Sequence, residues 1–150
     1  MNKQQLIESL NSSRRTIGYS GDYNMSTRIG PYKLSVSLGD GMYCSPRQGG
    51  FEPAEYTSVE AAIIGTDGDL MSVKQIHSKF GTDCAKLCES YGLGDDDDYS
   101  SWADMQTVMP YITWAQVVFV ANMIELHSPS ASDIAGFQEN EWNEEMCEPF

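Results

Sequence analysis

No lysine or arginine occurs after Lys86, so the 64 residues from Leu87 to Phe150 carry thirteen carboxylates with no cation to offset them. Residues 1–86 hold nine carboxylates against nine Lys and Arg and sum to zero, so the second part supplies the whole formal net charge of -13. Such asymmetry bears on partners and solubility more than on fold. Long apolar runs are also missing: the longest, Ala115 to Ile124 around Asn122, falls short of the roughly 20 residues that a membrane span needs. The first residues, with Lys3, Gln4, Gln5 and Glu8, lack the apolar core of a signal peptide. A soluble, cytoplasmic protein is the expectation.

Cysteine is scarce, and its four positions form no dense pattern: Cys84 and Cys88 stand one helical turn apart, while Cys44 and Cys147 are isolated. That excludes a disulfide-stapled secreted scaffold and fits free thiols in a reducing compartment. Catalytic signatures are missing as well. There is no G-x-S-x-G elbow, no H-E-x-x-H, no phosphate-cradling glycine loop ahead of Lys-Ser/Thr, and only two histidines. The chain is therefore expected to be no enzyme and to need no cofactor. The enzymatic alternative is a Cys–His pair assembled by the fold, such as His77 with Cys84.

What is present suits one domain over residues 1–150. A chain of this length, 41% apolar, with eight Tyr, three Trp and five Phe, can bury a single core and is too rich in aromatics for general disorder. Leu6, Ile7 and Leu10 share a helical face over Gln4–Leu10. Tyr32–Leu38 alternates as a half-buried strand, Gly39–Asp40–Gly41 makes a turn, and Met42–Ser45 is predicted to return as its partner. Pro46–Pro53 reads as a loop, Thr57–Ile64 as a strand, Thr66–Asp69 as a turn and Leu70–Val73 as another strand. Val73, Ile76 and Phe80, then Cys84, Leu87, Cys88 and Tyr91, predict two short helices or one broken helix ending at Gly92. Gly94–Ser101 reads as an acidic loop, from which Ser100 or Ser101 caps a helix carrying Trp102, Met105 and Met109 to Pro110. Tyr111–Leu126, apolar on nearly every face, predicts a buried helix. Residues 139–150 read as an acidic helix or tail. The class is α+β: a small antiparallel meander over about residues 32–73, covered by the N-terminal helix and a helical C-terminal half.

The acids carry the functional reading. On a helix, Glu141, Glu144, Glu145 and Glu148 fall at i, i+3, i+4 and i+7, a stripe in which each like-charge pair costs a few tenths of a kcal/mol (about 0.2–0.5). A surface built for solubility alone mixes both signs, and this one does not. Carboxylates about 5–6 Å apart along a helix approach the spacing of phosphates along a nucleic-acid strand. Such a stripe fits a Lys/Arg groove made for that backbone, as a DNA mimic would. Asp95, Asp96, Asp97 and Asp98 add a second cluster flanked by Glu89 and Asp104, and the rigid aromatics Tyr99, Trp102 and Trp142 stand among the acids as anchors. The expected partner-binding residues are Asp95, Asp96, Asp97, Asp98, Trp102, Asp104, Glu141, Trp142, Glu144, Glu145 and Glu148. The expected partner is basic. Nucleic acid itself and anionic membranes carry the wrong sign.

In size, in the lopsided charge of residues 87–150 and in the pattern Leu34-Ser35-Val36-Ser37-Leu38-Gly39-Asp40-Gly41-Met42-Tyr43, the chain resembles the small acidic phage and mobile-element inhibitors of bacterial defence systems. These are the anti-CRISPR and anti-restriction proteins. It is a resemblance of type and carries over no residue. It implies stoichiometric, protein–protein inhibition of a nucleic-acid-handling defence protein in the host cytoplasm. The alternative is an acidic adaptor or regulator that binds through the hairpin face around Met42, Tyr43 and Arg47.

Metal readings are weaker on spacing. Calcium wants six to eight oxygens wrapped round a centre, and four adjacent aspartates lack the alternation of an EF-hand. Cys84, Cys88 and His77 supply at most three zinc ligands, with a fourth owed by Cys44, His127 or Cys147. On an amphipathic helix these cysteines read as core, His77 as a boundary residue, and His127 as a helix C-terminal residue suited to the dipole. No metal site is expected.

Overall fold

A computed structural model of the chain describes residues 1–17, 21–91 and 108–128. The order is α1 (Lys3–Asn11), β1 (Arg15–Ile17), β2 (Asp22–Ile29), β3 (Tyr32–Leu38), a 3-10 turn (Pro53–Glu55), β4 (Ser58–Ile64), α2 (Val73–Phe80), α3 (Thr82–Tyr91), β5 (Val108–Thr113) and α4 (Trp114–His127). The five strands form one sheet in the order β1-β2-β3-β4-β5, every pair antiparallel. The fold is α+β.

Alternation along the strands sorts side chains by face. Tyr23, Met25 and Ile29 of β2 lie opposite Leu38, Val36 and Tyr32 of β3, and Val59, Ala61 and Ile63 of β4 continue the same buried face. Onto it pack Leu6 and Leu10 of α1, Ile76 and Phe80 of α2, Cys84 and Cys88 of α3, and Val117, Val120 and Ile124 of α4, in one core. Each such aliphatic or aromatic side chain contributes on the order of 1.5–3 kcal/mol on burial. Phe80 meets the ring of Tyr32 edge to face, with centroids 4.9 Å apart.

Helix starts follow from local chemistry. Asn2, Ser72 and Thr113 each accept the backbone N–H of a glutamine three residues on (Gln5, Gln75, Gln116), whose side chain reaches back to the cap's own N–H. This Asn/Ser/Thr-x-x-Gln pattern starts α1, α2 and α4.

The opposite face of β2 and β3 carries Asn24, Ser26, Arg28, Lys33, Ser35 and Ser37, half-buried or exposed. Asn24 Nδ2 donates to Ser35 Oγ and Ser37 Oγ, both at 2.9 Å, tying the strands together by side chains. At the hairpin end, joined by Gly30 at φ 59° and Pro31, the exposed cations Arg28 and Lys33 are direct cross-strand partners. Like charges so placed repel. Lys33→Glu is expected to stabilise the fold by about 0.5 kcal/mol. A rise in the urea midpoint at constant m-value would confirm it, and a fall would refute it.

Several sequence expectations need correction. Met42–Ser45 does not return as a hairpin strand: β3 pairs with β2 and β4, and Ser45 makes only an isolated bridge to Ser58. The cause is the Asp22 carboxylate, which accepts the N–H groups of Asp40 (2.7 Å) and Gly41 (3.1 Å) and turns the chain away. Leu70–Val73 is no strand either. Leu70 makes one bridge to Ile64, and the Ser72 cap draws Val73 into α2. Met109 and Pro110, expected at the end of a helix, lie in β5 together with Tyr111–Thr113, so α4 begins at Trp114. Proline has no N–H to lose on an edge strand, which is where it stands. Strands β1 and β2 extend the sheet well ahead of Tyr32. The acidic loop over 94–101, the helix around Trp102 and the element over 139–150 lie outside the described residues.

Candidate interaction surface

The described residues hold eleven carboxylates against all nine Lys and Arg, so that part of the chain is close to neutral. Segments 92–107 and 129–150 hold the other eleven carboxylates and no Lys or Arg. Every expected partner-binding residue (Asp95, Asp96, Asp97, Asp98, Trp102, Asp104, Glu141, Trp142, Glu144, Glu145 and Glu148) falls in these segments, outside the described residues. The fold determines where they attach: the first joins the end of α3 to the start of edge strand β5, and the second follows α4.

The long β3–β4 connection is built as a rigid platform. Asp22 is 7% exposed, and its carboxylate holds the Asp40 and Gly41 amides. Asp40 in turn accepts from Gly49 N–H at 2.7 Å through Oδ1 and from Arg47 Nε at 3.2 Å through its carbonyl. Tyr23 and Tyr56 donate their hydroxyls to the carbonyls of Phe51 (2.8 Å) and Gln48 (2.5 Å). Burial pushes both phenols above the ordinary tyrosine range, so they remain donors, although Arg14, 3.8 Å over the Tyr23 ring, works the other way there. Arg14 also pairs with Glu52 at 3.0 Å.

From this platform an aromatic pair faces solvent. Tyr43 and Tyr111 are 47% and 43% exposed, with ring centroids 5.9 Å apart at 55°. Arg47 sets its guanidinium 4.9 Å from the Tyr43 ring centroid. Tyr111 sits in a bulge: Val59 faces Ile112 and Ala61 faces Met109, so Pro110 and Tyr111 together oppose Glu60. It takes φ 56°, a left-handed conformation that a bulky side chain adopts at a cost of about 1–2 kcal/mol. One bond holds it there, Tyr111 N–H donating to Tyr43 O at 2.9 Å, and Tyr43 is itself held by its N–H donating to Glu60 Oε1 at 3.2 Å. Strain held by surrounding contacts makes this exposed residue a candidate for a functional role. Sequence reasoning singled out Tyr43 and Arg47 and missed Tyr111, whose partners are remote in the chain.

Cys84 and Cys88 are fully buried in the core on successive turns of α3. A hydrogen bond with Cys84, together with burial, pushes the Cys88 thiol up. Burial likewise raises Cys44, whose sulfur bonds the Gly39 backbone at 3.4 Å. His77 Nε2 lies 3.1 Å from Thr82 Oγ1, and His127 stands in the last turn of α4. Among the described residues, no three metal-ligating side chains come together, and no helix is long and apolar enough to cross a membrane.

An open groove of about 720 Å³ runs between the N-terminus, the 3-10 turn and α4, lined by Asn2, Lys3, Tyr56, Thr113, Trp114 and Val118 among others. Its lining includes no His, Cys or carboxylate side chain; its titratable side chains are Lys3 and Tyr56. No protein family, curated protein or solved structure matches this chain.

Proposed function

We propose that this chain is a non-enzymatic inhibitor of a bacterial defence system, of the anti-CRISPR or anti-restriction type. Its base-free segments 92–107 and 129–150 occupy the basic groove of a nucleic-acid-handling protein in place of a phosphate backbone. The observation that carries the reading is the charge partition along the chain: residues 1–17, 21–91 and 108–128 hold every lysine and arginine and are close to neutral, while every charged side chain in 92–107 and 129–150 is a carboxylate. Charge mixed for solubility alone gives no such partition.

Graded capture tests this. The full chain, immobilised and exposed to bacterial lysate at about 50 mM salt, is expected to retain a basic nucleic-acid-binding protein, identified by mass spectrometry and released at about 500 mM. Retention of a neutral or acidic partner that survives high salt would overturn the proposal.

The strained Tyr43–Tyr111 pair favours a second reading: an acidic adaptor that binds through the platform around Met42, Tyr43 and Arg47, with the acids serving solubility. Aromatic anchors of this kind dominate interface energies. Substitutions in the acidic segments separate the two readings.

A further inference from the structure

The exposed aromatic pair has a binding chemistry that its own geometry displays. Arg47 already stands over Tyr43 with its guanidinium 4.9 Å from the ring centroid, so this pair accepts a planar cation within its own chain. The neighbouring Tyr111 ring, 5.9 Å away and 43% exposed, carries no such contact among the described residues. Glu60 lies opposite Tyr111 across the bulge, its carboxylate within hydrogen-bond reach of the Tyr43 amide. The patch thus offers a second aromatic face with an anionic group beside it, the combination that arginine satisfies by stacking and pairing at once.

Two features connect this patch to a cationic partner. Tyr111 stands three residues beyond Val108, where the base-free segment 92–107 joins the sheet, so it follows closely in sequence the acids that the proposed function assigns to a basic partner. Pairing of another strand along β5 is discouraged by Pro110 and by the bulge, both of which blunt an edge. The outward chemistry at this edge is therefore carried by side chains.

Resting on the reading of a cationic partner, we infer that Tyr111, held in a left-handed bulge beside Tyr43 and Glu60, is a docking platform for an arginine side chain of that partner. The strained backbone fixes the ring outward. Lysine, a hydrated point charge, uses the same face less well than guanidinium.

The test uses the full chain with fluorescein-labelled octa-arginine and octa-lysine, read by anisotropy at low salt. The wild type is expected to bind octa-arginine more tightly than octa-lysine. Tyr111→Gly, which removes the ring and suits the left-handed backbone, is expected to lower that ratio roughly two- to fivefold. Tyr111→Phe keeps it, because the ring remains. Tyr111→Asn, which also tolerates this backbone, gives the same loss as glycine and guards against a folding artefact, with the thermal midpoint of each variant measured alongside. Changing Glu141, Glu144 and Glu145 to Lys weakens both peptides alike and leaves the ratio in place. An unchanged ratio in folded Tyr111→Gly and Tyr111→Asn overturns the arginine platform while leaving the cationic partner standing. Failure of the wild type to bind either peptide overturns both.

Discussion

Alanine at position 39 is expected to destabilise the protein by about 3–4 kcal/mol, the sum of a strained backbone and a displaced buried cap. Gly39 has φ 137°, and a Cβ there would stand 2.0 Å from Asp22 Oδ1, 2.5 Å from its Cγ and 2.7 Å from its Cα. The last contact is with backbone, so rotating the aspartate side chain does not relieve it. Asp22 must move, and the Asp40 and Gly41 amides then lose the carboxylate that turns the platform away from β3. Total stability of a domain is only about 5–15 kcal/mol, so the loss is large, and a thermal midpoint lowered by about 10 °C is the expected result. Gly68→Ala supplies the control: it has φ 88° and open space around the added methyl, so it pays for conformation alone, about 1 kcal/mol. Equal effects at the two positions would refute the role given to Asp22.

Replacing Glu141, Glu144 and Glu145 with lysine is expected to weaken binding to the cationic partner about 100-fold at low salt, roughly 1 kcal/mol for each reversed charge. The substitutions change the formal charge by six at positions outside the described residues, and the thermal midpoint of the variant, measured alongside, separates lost binding from lost folding. Under the adaptor reading the same variant binds like the wild type, while Tyr43→Ala does not. The pair of variants therefore assigns the binding energy to the acidic segments or to the platform.

The sequence was most informative where pattern and chemistry are local. Tyr32–Leu38 is a strand over its full predicted length, because its alternation is uninterrupted and one face is fully buried. The two short helices around Gly81 also form, since Ser72 and Gln75 make a capping box and Gly81 has φ 94°. Strand β2 was less visible: Tyr23, Met25 and Ile29 alternate, but Thr27 replaces an apolar residue and Asp22 opens the strand with a buried charge. The hairpin expected after Gly39 fails for a reason remote in sequence. Asp22 is 17 residues earlier, and nothing local to Gly39–Gly41 reveals that its carboxylate captures their amides. Tyr111–Thr113, expected inside the buried helix, lie in β5 instead: apolar residues next to a helix extend its apparent pattern, whereas Thr113 and Gln116 mark the true start. Of the site, Tyr43 and Arg47 are legible as one face, although Tyr43 is expected there in a returning hairpin strand and only Arg47 in a loop. Tyr111 was hidden inside an apolar run, and only the bulge turns it to solvent.

Competition tests the central claim most directly. With the captured partner purified, increasing amounts of the nucleic acid that this partner binds are added to its preformed complex with the full chain, and the displaced chain is measured. Mutually exclusive binding, with an apparent affinity for the chain that falls in proportion to the nucleic acid present, is the expected result. A stable ternary complex, with the chain retained at saturating nucleic acid, would contradict it.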